Sequence, residues 1–273
     1  MANLDTLTAF FEEGSTLVLT GAGISEASGI PTYRDHSGKW KRSNPIQHQE
    51  FISNPYKRQR YWARSMVGWR PVEKARPNLA HSSLARLEKA GLIDRVVTQN
   101  VDRLHSEAGA KDVIDLHGRL DRVICLNCGD QTDRQSLQPR LEEANPSLVG
   151  FIADLLPDGD ADIDDYPMET VRVPSCLKCH GILKPDVVFF GDNVPKERKE
   201  SAMEALQQAK RLLTIGSSLQ VYSGFRFCRR AADLNMPIGC INKGVTRADS
   251  LLQYKWQDDC SILLSQVADR LCA

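Results

Sequence analysis

The 273-residue chain is expected to fold as an α/β protein, a doubly wound parallel sheet with a small module inserted into it, and three observations predict this. Short apolar runs without polar alternation recur along the chain, each followed at once by a glycine or amide turn, as strands covered on both faces require. Helical patterns separate these runs. Between Cys125 and Cys179 the alternation stops, and a stretch rich in Asp, Glu, Pro and Asn takes over.

In chain order, Leu4 to Glu13 is amphipathic and Gly14 ends it; Leu17 to Thr20 is the first apolar run, with Gly21-Ala22-Gly23 directly behind. Residues 34–77 then interrupt the pattern with aromatic and basic side chains (Trp40, Tyr56, Arg58, Tyr61, Trp62, Arg64, Trp69), which reads as a helical insert, mobile in part. Arg95 to Thr98 runs into Gln99-Asn100, and Val113 to Leu116 into His117-Gly118. Beyond the inserted module, Leu212 to Ile215 precedes Gly216-Ser217-Ser218, and Pro237 to Ile241 precedes Asn242. Helices are expected over Pro195 to Arg211 and over Asp258 to Leu271. Doubly wound sheets bind ligands beyond the carboxyl ends of their strands, where each of these polar clusters stands.

Thirty-five basic side chains balance 35 acidic ones, so no cationic surplus awaits a phosphate backbone or an anionic membrane, and no nucleic-acid or membrane partner is expected. No stretch approaches the roughly 18 apolar residues of a membrane span. The first residues lack a basic leader pattern, and a helix starting at Leu4 leaves no room for a transit peptide. A soluble, cytoplasmic protein is expected; nothing in the sequence sets its oligomeric state, for which a monomer is favoured.

Of eight cysteines, Cys228, Cys240, Cys260 and Cys272 are scattered and read as small buried hydrophobes. The others form two C-x-x-C pairs, Cys125/Cys128 and Cys176/Cys179. Four thiolates on two tight knuckles complete a tetrahedral Zn²⁺ with no position open to substrate, so the site reads as structural. A redox dithiol is the alternative, but one such pair would follow a strand in a thioredoxin-like unit. Residues 129–175 exceed the usual ribbon spacing of about 15–20 and must loop out. Metal binding should supply roughly 10–16 kcal/mol to folding of the module.

Thr20 to Ser25 would set bare backbone N–H groups against a pyrophosphate, or form a plain tight turn. The dinucleotide fingerprint wants a third glycine where Glu26 stands, which argues against an ordinary hydride-transfer dehydrogenase. Asn100 and Asp102 offer an amide and a carboxylate to a ribose or a carboxamide, or simply cap a helix. His117 can take a proton from a sugar hydroxyl, or be structural.

Read together, G-A-G-I-S…S-G-I-P-T-Y-R-D (residues 21–35), T-Q-N-V-D-R-L-H (98–105), L-H-G (116–118), the four paired cysteines, K-P-D-V-V-F-F-G-D (184–192), G-S-S-L (216–219) and I-N (241–242) resemble the sirtuins, NAD-dependent protein deacylases. Tyr61-Trp62-Ala63-Arg64, the P-D-G-D stretch at 157–160 and V-Y-S-G at 221–224 look most like class II of that family. The resemblance implies a Rossmann-like domain over 1–120 and 184–273, with the flexible insert near 36–77, joined to a zinc-binding module over 121–183. NAD would act as co-substrate, beside one structural zinc ion.

Carried residue by residue, the resemblance implies that Gly21, Ala22, Gly23 and Ser25 hold the phosphates and adenosine side, while Pro31, Tyr33 and Arg34 form a mobile cofactor loop. Gln99, Asn100 and Asp102 would line the nicotinamide pocket. Gly216, Ser217 and Ser218 would meet phosphate and ribose; Asn242, Lys243 and Gly244 the adenosine ribose; and Cys260 the adenine. Val188, Phe189, Phe190 and Gly191 would be an edge strand pairing with an acyl-lysine peptide, a β-augmentation. His117 would be the general base, with Asn100 and Asp102 as catalytic partners, and the products would be free lysine, nicotinamide and O-acyl-ADP-ribose. Mono-ADP-ribosyl transfer in the same cleft, or a non-catalytic nucleotide-binding module, are the alternatives.

The chain also departs from the family pattern. Tyr33 stands for the commoner Phe, Asp192 for a Glu, and Val221-Tyr222-Ser223-Gly224 for V-x-P-A. Tyr61 and Arg64 share a helix face at i, i+3, the Y-x-x-R spacing that holds acidic acyl groups in class III; a one-residue offset would put Trp62 and Ser65 there instead, or the pair forms an ordinary packed or solvated face.

Overall fold

The computed structural model describes residues 3–35, 37–39, 41, 45–154, 160–163 and 166–272. Trp40, Asp164, Asp165 and most of the P-D-G-D stretch lie outside the described residues. In chain order the elements are α1 (Leu4–Glu12), β1 (Thr16–Thr20), α2 (His48–Ser53), α3 (Pro55–Lys74), α4 (Leu79–Lys89), β2 (Ile93–Thr98), α5 (Leu104–Glu107), β3 (Val113–Asp115), β4 (Gly118–Cys125) and β5 (Gln131–Asp133). They continue with α6 (Arg134–Ala144), β6 (Leu183–Val187), α7 (Lys196–Gln208), β7 (Arg211–Ile215), α8 (Tyr222–Asp233), β8 (Ile238–Ile241), β9 (Tyr254–Trp256) and α9 (Cys260–Leu271).

Six strands form one sheet in the order β3-β2-β1-β7-β8-β9, every adjacent pair parallel. Strand order reverses between β1 and β7, the switch point at which doubly wound sheets open a crevice. The register is level there: Asp115, Thr98, Thr20, Ile215 and Ile241 lie in one row across five strands. The residues that follow them, His117, Gln99 with Asn100, Gly21, Gly216 and Asn242, therefore emerge along one edge.

Alternation along β1 separates the two cores. Val18 joins Leu7, Phe10 and Phe11 of α1, Leu84 and Leu87 of α4, and Leu264 and Val267 of α9. Leu17 and Leu19 join Ala202 and Leu206 of α7 and Phe227 and Ala231 of α8. Each such Leu or Phe contributes about 1.5–3 kcal/mol on burial. α1 also opens with a capping box, in which the Asn3 side chain accepts from the Thr6 N–H and the Thr6 hydroxyl answers the Asn3 N–H.

A second, antiparallel sheet, β5-β4-β6, carries the cysteine knuckles. Helices α2 and α3, the helical insert expected from the sequence, pack on the side of the second sheet. Phe51, Tyr61, Trp62 and Met66 share one core with Val123, Leu137, Leu141 and Leu183 of the zinc-binding side. The Arg134 guanidinium is packed against both Trp62 and Trp69, at 5.7 and 5.1 Å from the ring centroids, and donates to the Ser65 carbonyl at 3.2 Å. Burial draws its pKa down to about 10, so it is still charged at neutral pH.

The edge strand expected over residues 188–191 is corrected. The ladder ends at Val187, because the Asp192 N–H turns back to Phe189 O at 3.0 Å and Gly191 has φ +79°. What remains is held by Val188 N–H donating to His117 O (2.8 Å) and by an isolated parallel bridge of Phe190 with Gln47, in which Phe190 O accepts from His48 N–H (2.8 Å).

Candidate active site

The level strand ends open into a cleft of about 710 Å³. One wall is the crossing of two glycine turns. Gly21 N–H donates to Ile215 O (3.0 Å), Gly23 N–H to Gly216 O (2.8 Å), and Gly216 N–H to Ile241 O (2.9 Å). A Cβ on Gly21 would sit 2.7 Å from Ser217 Cβ, and one on Gly216, whose φ is +60°, would sit 2.5 Å from Ile24 N. Only glycine lets these backbones meet. The crossing uses the Gly21, Gly23 and Gly216 N–H groups itself and leaves a cleft wall with no side chains at these positions, open to the close approach of a pyrophosphate.

Next to the crossing lies a connected polar set. Ser25 Oγ donates to Asp102 Oδ2 at 2.6 Å and accepts from Asn100 Nδ2 at 3.0 Å, while Leu104 N–H reaches Asp102 Oδ1 at 3.0 Å. Burial raises the Asp102 pKa, and the Ser25 hydrogen bond opposes that. Gln99 Nε2 donates to Ser217 Oγ at 2.9 Å, tying the ends of β2 and β7. At the adenosine end expected from the sequence, Asn242 Nδ2 donates to Gly244 O (3.0 Å), and Lys243 Nζ pairs with Asp259 Oδ2 (2.8 Å) beside Cys260. Burial pushes the Cys260 thiol up to about 11.

His117 faces the same space. Its Nδ1 is 3.0 Å from Gln99 O, and a carbonyl can only accept, so Nδ1 carries the proton and Nε2 keeps its lone pair. Part of the ring is open to the cleft, yet its desolvation pulls the pKa down to about 4, leaving a neutral imidazole at physiological pH. Ser223 Oγ lies 2.7 Å from that Nε2. Tyr33 in the expected cofactor loop touches Phe190 edge-on at 6.3 Å, and Arg34 Nη1 donates to Gly38 O at 2.8 Å.

The four paired cysteines converge at the far end of β4. All four Sγ atoms lie within 4.8 Å of one another, with Cys125–Cys179 at 3.5 Å and Cys128–Cys176 at 3.8 Å. A tetrahedron with Zn–S arms of about 2.3 Å has edges of about 3.8 Å, so the donor set fits one closed zinc site. Among the described residues no other cluster of this kind occurs.

Residues 21–223 match the Sir2 family pattern, from the first glycine turn through the start of α8. The chain belongs to the Sir2 family. It is 51% identical over 268 residues to an NAD-dependent protein deacetylase of Bordetella bronchiseptica, covering 98% of each chain. It is 52% identical over 248 residues to NAD-dependent protein deacetylase 2 of Bradyrhizobium diazoefficiens, covering 91% of each. Similar solved structures include Sir2 with p53 peptide and NAD+ (TM-score 0.77, 30% identity, 98% of each chain) and Sir2 with deacetylated p53 peptide and 3′-O-acetyl-ADP-ribose (TM-score 0.79, 29% identity, 98% of each).

In this Sir2-family chain the cleft gathers Gly21, Ala22, Gly23, Ser25, Tyr33, Arg34, Gln99, Asn100, Asp102, His117, residues 188–191 and 216–218, Asn242, Lys243, Gly244 and Cys260. Pro31 is not on its lining, nor are Tyr61 and Arg64. Tyr61 is buried against Phe51 and Phe189, and Arg64 is 3.6 Å from Asp160 and donates to Ala161 O at 3.1 Å. The sequence reading assigned no role to Val72, Val101, Leu120 and Val187, which form an apolar part of the lining, or to Ser223 and Arg226. The one available signal was the V-Y-S-G departure at 221–224. Among the described residues no helix is long and apolar enough to cross a membrane.

Proposed function

We propose that this chain is an NAD-dependent protein-lysine deacylase that releases nicotinamide and O-acyl-ADP-ribose. The observation that carries the reading is His117: a neutral base with a fixed tautomer, facing one cleft between the glycine crossing and a substrate-facing segment. NAD, when bound, supplies a ribose carbon made electrophilic by departure of a neutral nicotinamide, for capture by the acyl-lysine oxygen.

The chain's own residues divide the remaining work. Gly21, Ala22, Gly23, Gly216, Ser217 and Ser218 receive phosphates and ribose: Gly21, Gly23 and Gly216 give the close approach, while Ala22 and the two serines offer backbone N–H groups and hydroxyls. Pro31, Tyr33 and Arg34 form the covering loop, while Asn242, Lys243, Gly244 and Cys260 take the adenosine end. Gln99, Asn100 and Asp102 face the nicotinamide; the bonds from Ser25 and Leu104 hold the Asp102 carboxylate in one orientation. His117 Nε2 takes the proton of a ribose hydroxyl as that hydroxyl attacks the acyl carbon, and Gln99 O steadies the resulting imidazolium through Nδ1–H.

Val188 to Gly191 offer backbone groups to the acyl-lysine peptide, and Val72, Val101, Leu120 and Val187 suit the uncharged part of the lysine arm. Zinc held by Cys125, Cys128, Cys176 and Cys179 fixes β4 and β6 and stays outside the chemistry. The division of the chain into 1–120 with 184–273 and 121–183 belongs to the same proposal, with α2 and α3 now counted with the zinc module because they share its core. So do a cytoplasmic location, where thiolates stay reduced, and a monomeric state without nucleic-acid partners.

The test is His117→Ala with NAD and an acetyl-lysine peptide, followed by mass spectrometry. Loss of peptide deacetylation by about 10²–10⁴-fold with unchanged thermal stability and zinc content is expected. Retained turnover removes His117 as the base. In the wild type, nicotinamide release with ADP-ribose left on the peptide would move the reading to mono-ADP-ribosyl transfer.

A further inference from the structure

Ser223 lies in the first turn of α8, half-buried and on the cleft lining, 106 residues away in sequence from the histidine it meets. Since the Gln99 carbonyl fixes the His117 proton on Nδ1, the bond of 2.7 Å at Nε2 has one polarity: the serine hydroxyl donates and the imidazole accepts. Nucleophile, base and orienting acceptor thus stand in the order that makes serine reactive in acyl transfer. The turn adds a second contribution. No side chain caps α8, whose N-cap is Val221, so its leading N–H groups and the positive end of its dipole lie beside the serine, where an alkoxide or a tetrahedral oxyanion would gain.

We propose that Ser223 is a second acyl acceptor of the cleft, a nucleophile activated by His117 toward acyl esters of a sugar hydroxyl. That class of donor rests on the deacylase reading, whose product is such an ester formed next to His117. The step balances without a further reactant. Ser223 Oγ bonds to the acyl carbon while its proton passes to His117 Nε2; the ester C–O bond breaks, and the same proton goes to the departing sugar oxygen. Water, deprotonated by His117 in turn, then hydrolyses the acyl-serine to a carboxylate and restores the hydroxyl. Neither step needs NAD, because the donor is already activated.

The test uses the zinc-loaded full chain and p-nitrophenyl acetate without NAD. The expected result is a burst of p-nitrophenolate up to one equivalent of enzyme, with an acetyl group that peptide fragmentation places on Ser223 rather than on Ser217 or Ser218 of the same tryptic peptide. Ser223→Ala and His117→Ala should each slow turnover by about a hundredfold, the low end of what a general base contributes. Acetylated ADP-ribose should then give ADP-ribose and acetate in the wild type and resist Ser223→Ala to the same degree. An unacetylated wild-type Ser223, or equal hydrolysis by wild type and Ser223→Ala, overturns the proposal; the adduct measurement on the wild type stands even if the variant does not fold. NAD-dependent peptide deacetylation, run on the same preparations, separates the two readings. An adduct without deacetylation retains the reactive serine and removes the deacylase, and deacetylation without an adduct does the reverse.

Discussion

Three alanine substitutions separate the two reasons for glycine at the strand crossing. Gly14 has φ +66° with nothing within 4 Å of an added Cβ; Gly21 lacks a positive φ, but its Cβ would meet Ser217 Cβ at 2.7 Å; Gly216 combines φ +60° with a Cβ 2.5 Å from Ile24 N and 2.8 Å from Gly23 C. A left-handed non-glycine residue costs about 1–2 kcal/mol, and an overpacked contact with rigid backbone about 1–3 kcal/mol. Gly14→Ala should therefore lose about 1–2 kcal/mol and Gly21→Ala about 1–3 kcal/mol, with Gly216→Ala near their sum, about 2–5 kcal/mol. At about 2–4 °C per kcal/mol for a chain of this size class, thermal unfolding should order them clearly. NAD gives a second reading. Its stabilisation of the wild type should persist in Gly14→Ala and fade in Gly21→Ala and Gly216→Ala, whose relaxed turns no longer match the pyrophosphate. A Gly216→Ala Tm equal to that of Gly14→Ala, with the NAD shift intact, would refute the reasoning, since the backbones would then have room to part.

Acid should destabilise the fold early. Burial lowers the pKa values of His81 and His117 to about 4 and of His105 to about 3, so between those values and about 6.5 the unfolded chain binds more protons. Stability is then complete above about pH 7 and falls with pH through that window, by several kcal/mol in total near pH 4.5; identical urea midpoints at pH 7.5 and 5 would contradict this. The pH profile of kcat/KM, which reports the free enzyme, should show no acid limb at 6.5, because His117 stays neutral to about 4, and a limb at 6.5 would mean a well-solvated ring. Cys125→Ser, or zinc removal by a chelator, should abolish deacetylation and melt the module although zinc takes no chemical part; a stable, active, zinc-free protein would dismiss the structural role. Arg64→Ala should lower activity equally on acetyl and succinyl peptides, since Arg64 faces Asp160 and not the cleft; selective loss on succinyl would restore the acidic-acyl reading.

The strand ends were legible because their signals are local: an apolar run and the glycine or amide that stops it are neighbours in sequence, and parallel pairing in level register aligned them. The zinc ligands were legible because spacing within each knuckle already dictates a chelate. What escaped depended on partners far along the chain. Nothing near Trp62 announces that its indole donates to Leu183 O, 121 residues on, or that Arg134 packs against the same ring. Hence α3 read as mobile, and its Tyr61/Arg64 face could not be assigned a neighbour from i, i+3 spacing alone. The serine opposite His117 was visible only as an odd residue in a motif. At 188–191 the apolar pattern continues past the ladder, but the turn at Gly191 ends pairing where hydrophobicity does not.

Because α2 and α3 share a core with β4 and β6, the chain passes four times between that core and the cores flanking the six-stranded sheet: between Ile24 and Ile46, Val67 and Ala80, Leu116 and Val123, and Phe189 and Val194. A body tethered once can swing about many axes, and each further tether removes some of that freedom. Two of these passages hold His117 and the end of the 188–191 segment, joined by the Val188 N–H to His117 O bond. The backbone at His117 is thus tied to both walls of the cleft at once.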